Sequence, residues 1–250
     1  MTLSETIDLI LVPKGAEYQA VVRGLRKSGL QPLPPTIAIP VGPLPVMERL
    51  VSLPLTLPTG GRFLNVLIMG VCGGLSPSVA VGQRVVPDVC LSRFLGESSL
   101  DSIPATQLFS PDLCQALKAS LLPSEALVDS QTLMVSSDRA VCLATEKQQL
   151  QQSTGAAIID MEGAAVLAAL SQWPVSVAMV RVVSDDCTRD LPDLNSALNP
   201  DGSLAPLQLS VQMLRHPLRS RHLIVGALRA LGELRAVAEE LGRFMQRTNG

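Results

Sequence analysis

Two stretches of the chain leave little choice of fold. Phe63–Gly70 is apolar except at Asn65, and Val175–Val183 reads as one long buried strand. A strand without polar alternation has no face to give to water, so it belongs in a sheet covered on both sides. The remaining pattern agrees. Ile7–Val12 is a short apolar run, partly β-branched, that stops at Pro13, and a helix is expected from about Gly15 to Ser28, ending near Gly29. Arg84–Val89 reads as a strand, and Ser110-Pro111 offers a hydroxyl cap with proline in the first turn of a helix. Strands at Thr132–Ser136 and Ala157–Ile159 then alternate with helices at Thr145–Gln152 and Glu162–Leu170. Strand–helix alternation with fully apolar strands gives an α/β architecture. Eight prolines between residues 30 and 61 favour short strands and turns over helix there.

At 250 residues a single α/β domain spanning 1–250 is expected. With 47% apolar residues, 17% charged ones and a mean hydropathy of +0.33, a core is easily buried and disorder is excluded. Aromatics make up only 2%, and a net charge of −2 supplies no basic field, so a nucleic-acid platform is not expected. No run reaches the ~18 apolar residues of a membrane span. Residues 1–8 carry Glu5 and Asp8 and no basic segment, unlike a secretory signal. The five scattered cysteines read as small core residues in a reducing, cytoplasmic setting.

Leu207–Arg247 differs in kind. It reads as two helices joined near Pro217, with seven arginines against three glutamates, so residues 203–250 form a basic helical extension. Leu207, Val211 and Leu214 make one apolar stripe; Leu223, Ala227, Ala230, Leu234, Val237 and Leu241 make another. Two readings stand for this tail. Its helices pack on the sheet and show arginine to solvent, or part of the basic surface meets a bilayer peripherally.

The chemistry is narrowed by exclusion. P-loop, GxGxxG and HExxH patterns are absent, and both histidines, His216 and His222, lie in the tail. Acid–base work therefore falls to carboxylates. Glu17 follows the first strand, Asp160 and Glu162 sit where a strand meets a helix, and Asp185 and Asp186 follow the longest strand. Ligand sites of α/β sheets gather at such carboxyl ends.

Val66-Leu-Ile-Met-Gly-Val-Cys-Gly-Gly-Leu75, with Val81-Gly-Gln-Arg-Val-Val-Pro-Asp88 after it, resembles the glycine-rich segment of the purine nucleoside phosphorylase / methylthioadenosine nucleosidase superfamily. Ile159-Asp-Met-Glu-Gly-Ala-Ala165 is similar to its ribose-binding Met-Glu motif, and Val180-Arg-Val-Val-Ser-Asp185 to its purine-facing Ser-Asp motif. The order and spacing match over most of residues 7–190. Softer similarities point to the hopanoid-associated phosphorylase branch, whose members are thought to remove adenine from adenosylhopane. They comprise Val135-Ser-Ser-Asp-Arg-Ala140, Arg189-Asp-Leu-Pro192, Asp201-Gly202 and the basic tail.

The resemblance implies a three-layer αβα sandwich around a mixed sheet, and cleavage of an N-ribosidic bond. It makes Asp185 the donor at purine N7, with Ser184 positioning it. Glu162 accepts from the ribose hydroxyls, Met161 packs against sugar and base, and Gly70, Val71, Gly73 and Gly74 let backbone approach the ligand. Glu17 aligns with the water-activating Glu of the hydrolytic branch, and Arg139 lies near the segment lining the base pocket. No cofactor or metal is implied. The expected partner is a small nucleoside, and a homo-oligomer is expected.

The nucleophile stays open. Phosphorylases of the family commonly carry Arg and Ser where this chain has Ile68 and Val71, and Pro13-Lys14-Gly15 replaces their Gly-Asp-Pro turn. Phosphate as co-substrate, held by Lys14 or Arg23, and water activated by Glu17 are the alternatives, and the narrower resemblance leans towards phosphate. The contrasting class is a silent nucleoside-binding protein that keeps the fold.

Overall fold

The computed structural model describes residues 7–54, 61–94, 100, 102–122, 131–197, 199, 201 and 217–248. Among these residues nine strands form one mixed sheet. In chain order they are β1 (Leu9–Pro13), β2 (Thr36–Ile39), β3 (Leu64–Gly74), β4 (Arg84–Val85), β5 (Val89–Arg93), β6 (Thr106–Leu108), β7 (Leu133–Ser137), β8 (Ile158–Asp160) and β9 (Val175–Asp185). The helices are α1 (Ala16–Lys27), α2 (Pro43–Val51), α3 (Pro111–Leu121), α4 (Ala144–Thr154), α5 (Gly163–Leu170) and α6 (Pro217–Thr248). One path through the sheet runs β2-β1-β3-β8-β7-β5-β6, while β9 pairs with both β3 and β4.

The two apolar runs are partners. β3 and β9 lie parallel from Leu64↔Val175 to Cys72↔Val183, the central seam of the sheet. Val66, Leu67, Ile68 and Met69 of β3, and Ala178, Met179 and Val180 of β9, are wholly buried. α6 packs along α1 and against β9 and β3, with α3 beside it; α2 and α5 pack on one another across the sheet. The expected αβα sandwich is therefore the fold. All five cysteines are buried and unpaired.

Two expectations need correction. Residues 43–51 are helical, because Pro43 and Pro45 occupy the first turn of α2, where a missing N–H breaks no helical bond. The run 84–89 is two strands split at Pro87: β4 pairs antiparallel with β9, β5 parallel with β7. Of the two helices expected around Pro217, the second is α6, a 32-residue helix that Pro217 opens, and the first, with the stripe Leu207, Val211 and Leu214 and also His216, lies outside the described residues.

The second stripe packs inward as its spacing requires. Ala230, Leu234, Val237 and Leu241 are fully buried. Gly24 of α1 lets the helices close: a methyl there would meet the Arg235 carbonyl and lie 2.8 Å from the Ala238 methyl. Arg84 clamps the helix from the sheet, donating to Glu233 at 2.6 Å and to Glu240 at 2.5 Å. No helix among the described residues is long and apolar enough to cross a membrane.

Candidate active site

β1, β3 and β9 are mutually parallel, so their carboxyl ends share one edge of the sheet. β8 runs against β3, with Gly73 opposite Ile159, and so delivers Asp160 and Glu162 back to the same level. Glu17, Asp160, Glu162 and Asp185 are thus brought to one edge of the sheet.

Arg181 is the hub. It is fully buried on β9, beside Gly70 on β3. Its Nη2 donates to Asp160 Oδ2 at 2.5 Å and Glu162 Oε2 at 2.9 Å. Its Nε and Nη1 are buried and have no hydrogen-bond partner among the described residues. Burial alone would depress the guanidinium, but Asp160, Glu162 and Glu17 outweigh it and hold the arginine above its ordinary value. Gly70 is required by this crowding: a Cβ there would collide with Arg181 Nη1 and lie 2.6 Å from Glu17 Oε2. The contact fixes where the two groups meet, over the Cα of Gly70.

Glu17 stands in the first turn of α1, entered through Gly15 at φ +110°. Its stem is half-buried and its carboxylate turns inward, accepting from the backbone N–H of Val71 at 2.7 Å. Burial pushes Glu17 up to about 7, against the opposing pull of Arg181 and the Val71 amide. Glu162, at the N-cap of α5, is likewise raised to about 7 by burial, with Arg181 opposing. Its Oε1 lies 3.4 Å from the Gly42 amide. Met161 sits nearby, its Cε about 4.0 Å from where a Cβ of Gly42 would stand. Asp160 caps α5, accepting from the Gly163 amide at 3.0 Å.

The second half of the site lies further along the seam. Between Cys72 and Gly73 the β3–β9 register slips, so Gly73 faces Asp185. The bulge re-aims the end of β9. Ser184 Oγ comes within 3.0 Å of the Cys72 carbonyl and 2.7 Å of Asp185 Oδ2. The other carboxylate oxygen of Asp185 is ion-paired with Lys147 of α4. Cys72 itself is no nucleophile, since burial raises its thiol well above the ordinary range.

The other sequence candidates are distributed as follows. Gly73 and Gly74 lie under Asp185: a methyl at Gly73 would stand 3.2 Å from its Oδ1, and one at Gly74 3.1 Å from its carbonyl oxygen. Val71 contributes its amide to Glu17. Arg139 is tied to Glu146, the residue before Lys147. Asp186 accepts from the Thr188 amide and hydroxyl, a local turn. Lys14 and Arg23 are exposed, and Arg23 reaches Gln19 on its own helix rather than the carboxylate cluster. His222 and Arg189 lie beside Asp185, lining a small cavity with Ser184 and Leu191. Among the described residues no group of three or more metal-ligating side chains gathers.

Sequence reading missed Arg181 and Lys147. For Arg181 a signal existed, because a lone charge inside an apolar strand must be paired where it is buried.

Residues 44–201 match the family model of the phosphorylase superfamily. No curated protein matches the chain. Among solved structures, 5'-methylthioadenosine/S-adenosyl homocysteine nucleosidase from Helicobacter pylori is 16% identical over 96% of both chains, with a TM-score of 0.61. Futalosine hydrolase of the same organism is 17% identical, covering 88% of this chain and 96% of its own, at a TM-score of 0.56. The nucleosidase from Neisseria meningitidis, in complex with methylthio-immucillin-A, is 14% identical over 94% of this chain and 99% of its own, at 0.58. These likenesses show a shared fold. Because the family model spans more than half of its length, the chain belongs to the phosphorylase superfamily.

Proposed function

We propose that the protein cleaves the N-ribosidic bond of an adenosyl compound and releases adenine, with water as the nucleophile. The observation that carries the reading is the Glu17 carboxylate turned in over Gly70 beside Arg181, three positions along β3 from the Gly73 that faces Asp185. A base raised to about 7 is matched to taking a proton from water near neutral pH. Arg181 has two buried N–H groups to orient that water. Glu162 accepts from the ribose hydroxyls, and Asp185 protonates N7 as the C1′–N9 bond breaks. Charge then develops on the sugar between carboxylates, which favours an oxocarbenium-like transition state.

Phosphate is the second reading, because the free guanidinium donors of Arg181 suit an anion. Against it, Asp160, Glu162 and Glu17 crowd the same cation, and a dianion beside them is repelled. Adenine release from a panel of adenosyl nucleosides, with and without phosphate, separates these readings. Free ribose product at an unchanged rate without phosphate is expected. Ribose 1-phosphate formed only with phosphate overturns the water reading, and tight nucleoside binding without release returns the chain to the silent-binder class.

For the 5′ substituent we infer a lipid-like group, of the kind adenosylhopane carries. Ile224, Val225 and Leu228 project from α6 into solvent, flanked by exposed Arg221 and Arg235. Such a stripe suits an anionic bilayer surface, where each arginine contributes about 1 kcal/mol. Binding to anionic vesicles that fades with salt and is absent with neutral ones is expected in co-sedimentation. Equal, negligible binding to both at low salt removes the support for a lipid-borne substrate.

A further inference from the structure

α4 is a polar helix: Thr145, Glu146, Gln148, Gln149, Gln151 and Gln152 crowd its sequence. Its one fully buried side chain is the most water-loving available, Lys147, at 0% exposure. An unpaired buried ammonium is too costly to persist, so its partners define its purpose. Those partners are Asp185, by an ion pair at Oδ1, and the Asp186 carbonyl at 3.0 Å. Lys147 is thus spent wholly on the carboxyl that faces the leaving base.

The arrangement on the other oxygen completes a chain. Ser184 Oγ lies within reach of both the Cys72 carbonyl and Asp185 Oδ2, and a hydroxyl has one proton to give. It donates that proton to one of them at a time, and Asp185 Oδ2 is an acceptor for it. Asp185 is therefore held on both oxygens, by the Lys147 ammonium on one and by the Ser184 hydroxyl on the other.

We propose that Lys147 is a positioning residue for leaving-group departure, supplying through Asp185 the proton that N7 takes. The inference rests on the reaction proposed above. As the C1′–N9 bond breaks, its electron pair moves into the purine and N7 takes a proton from Asp185. The Lys147 ammonium gives its proton to Asp185 and becomes a neutral amine. The attacking water passes its proton to Glu17. After adenine leaves, Glu17 returns a proton to solvent and Lys147 regains one, so no charge accumulates over a cycle.

The test is Lys147→Met, which keeps an unbranched side chain one atom shorter and removes the charge. It is assayed on an adenosyl nucleoside and on p-nitrophenyl β-D-ribofuranoside, whose leaving group departs as a phenolate and needs no proton. A role in leaving-group protonation lowers kcat for adenine release by roughly 10²- to 10³-fold, with KM changed little, while the nitrophenyl riboside keeps most of its rate. Equal losses on both substrates assign Lys147 to structure alone and overturn the proposal. Should Lys147→Met fail to fold, Lys147→Met/Asp185→Asn removes both buried charges and is compared with Asp185→Asn. Matching adenine-release rates for these two are expected, because the relay is already broken. A further tenfold loss in the double variant shows that Lys147 acts apart from Asp185. The parent's own adenine release tests the proposed reaction separately, so its absence is distinguishable from a failure of this inference.

Discussion

Glu17→Gln is expected to slow adenine release roughly 10²- to 10⁴-fold, the usual loss for a general base, while raising stability above neutral pH. Both effects have one cause. The carboxylate is buried over Gly70, which pushes it up to about 7 against an ordinary 4.5. The folded chain thus holds a proton that the unfolded chain releases between pH 4.5 and 7, and so does Glu162. A raised value favours the fold below the unfolded value, and that advantage is lost as pH rises through 7. At pH 8 the ionised Glu17 costs on the order of 3 kcal/mol, which glutamine does not incur. Thermal unfolding at pH 5 and pH 8 should show parent and variant close at the lower pH and the variant ahead at the higher. In the parent, kcat/KM should fall below about pH 7 as Glu17 takes up its proton. A parent-like rate in Glu17→Gln would remove water activation from this residue.

The same reasoning shows which parts of the molecule were legible beforehand. Val66–Leu75, Met161-Glu162 and Ser184-Asp185 are short segments whose chemistry is local: a close backbone approach, a carboxylate at a helix start, an acid at a strand end. Each announces itself within a few residues, and the fold brings them together. That β3 and β9 are core strands was legible for a similar reason, since strands so nearly apolar belong in a sheet covered on both faces, while their pairing was not. Lys147 was not legible. Nothing in Ala144-Thr-Glu-Lys-Gln-Gln distinguishes one lysine from its solvated neighbours, and only the docking of α4 near the end of β9 turns it inward. α2 was obscured by its own prolines, which mark a helix start as readily as a break. The split between β4 and β5 depends on which partner each finds across the sheet, a property absent from either segment alone.

Asp185→Asn is expected to lower adenine release by a comparable factor, roughly 10²- to 10⁴-fold, with the opposite effect on stability. The amide still reaches N7 as a hydrogen-bond donor, but it has no proton to surrender as the C1′–N9 bond breaks. Ser184 keeps its bond to the Cys72 carbonyl, so the end of β9 holds its course. What changes is the far side. Lys147, fully buried, loses the carboxylate that neutralises it and retains only the Asp186 carbonyl. Removing one partner of a buried pair typically costs about 3–5 kcal/mol, so the variant should melt lower than the parent. Glu17→Gln at pH 8 should melt higher. Opposite shifts from two carboxylates of one site separate an acid held by a buried cation from a base strained by its own burial. Should Asp185→Asn melt with the parent, the buried pair is not what holds Lys147 in place. Should it turn over like the parent, Asp185 leaves the mechanism and the leaving base departs unprotonated.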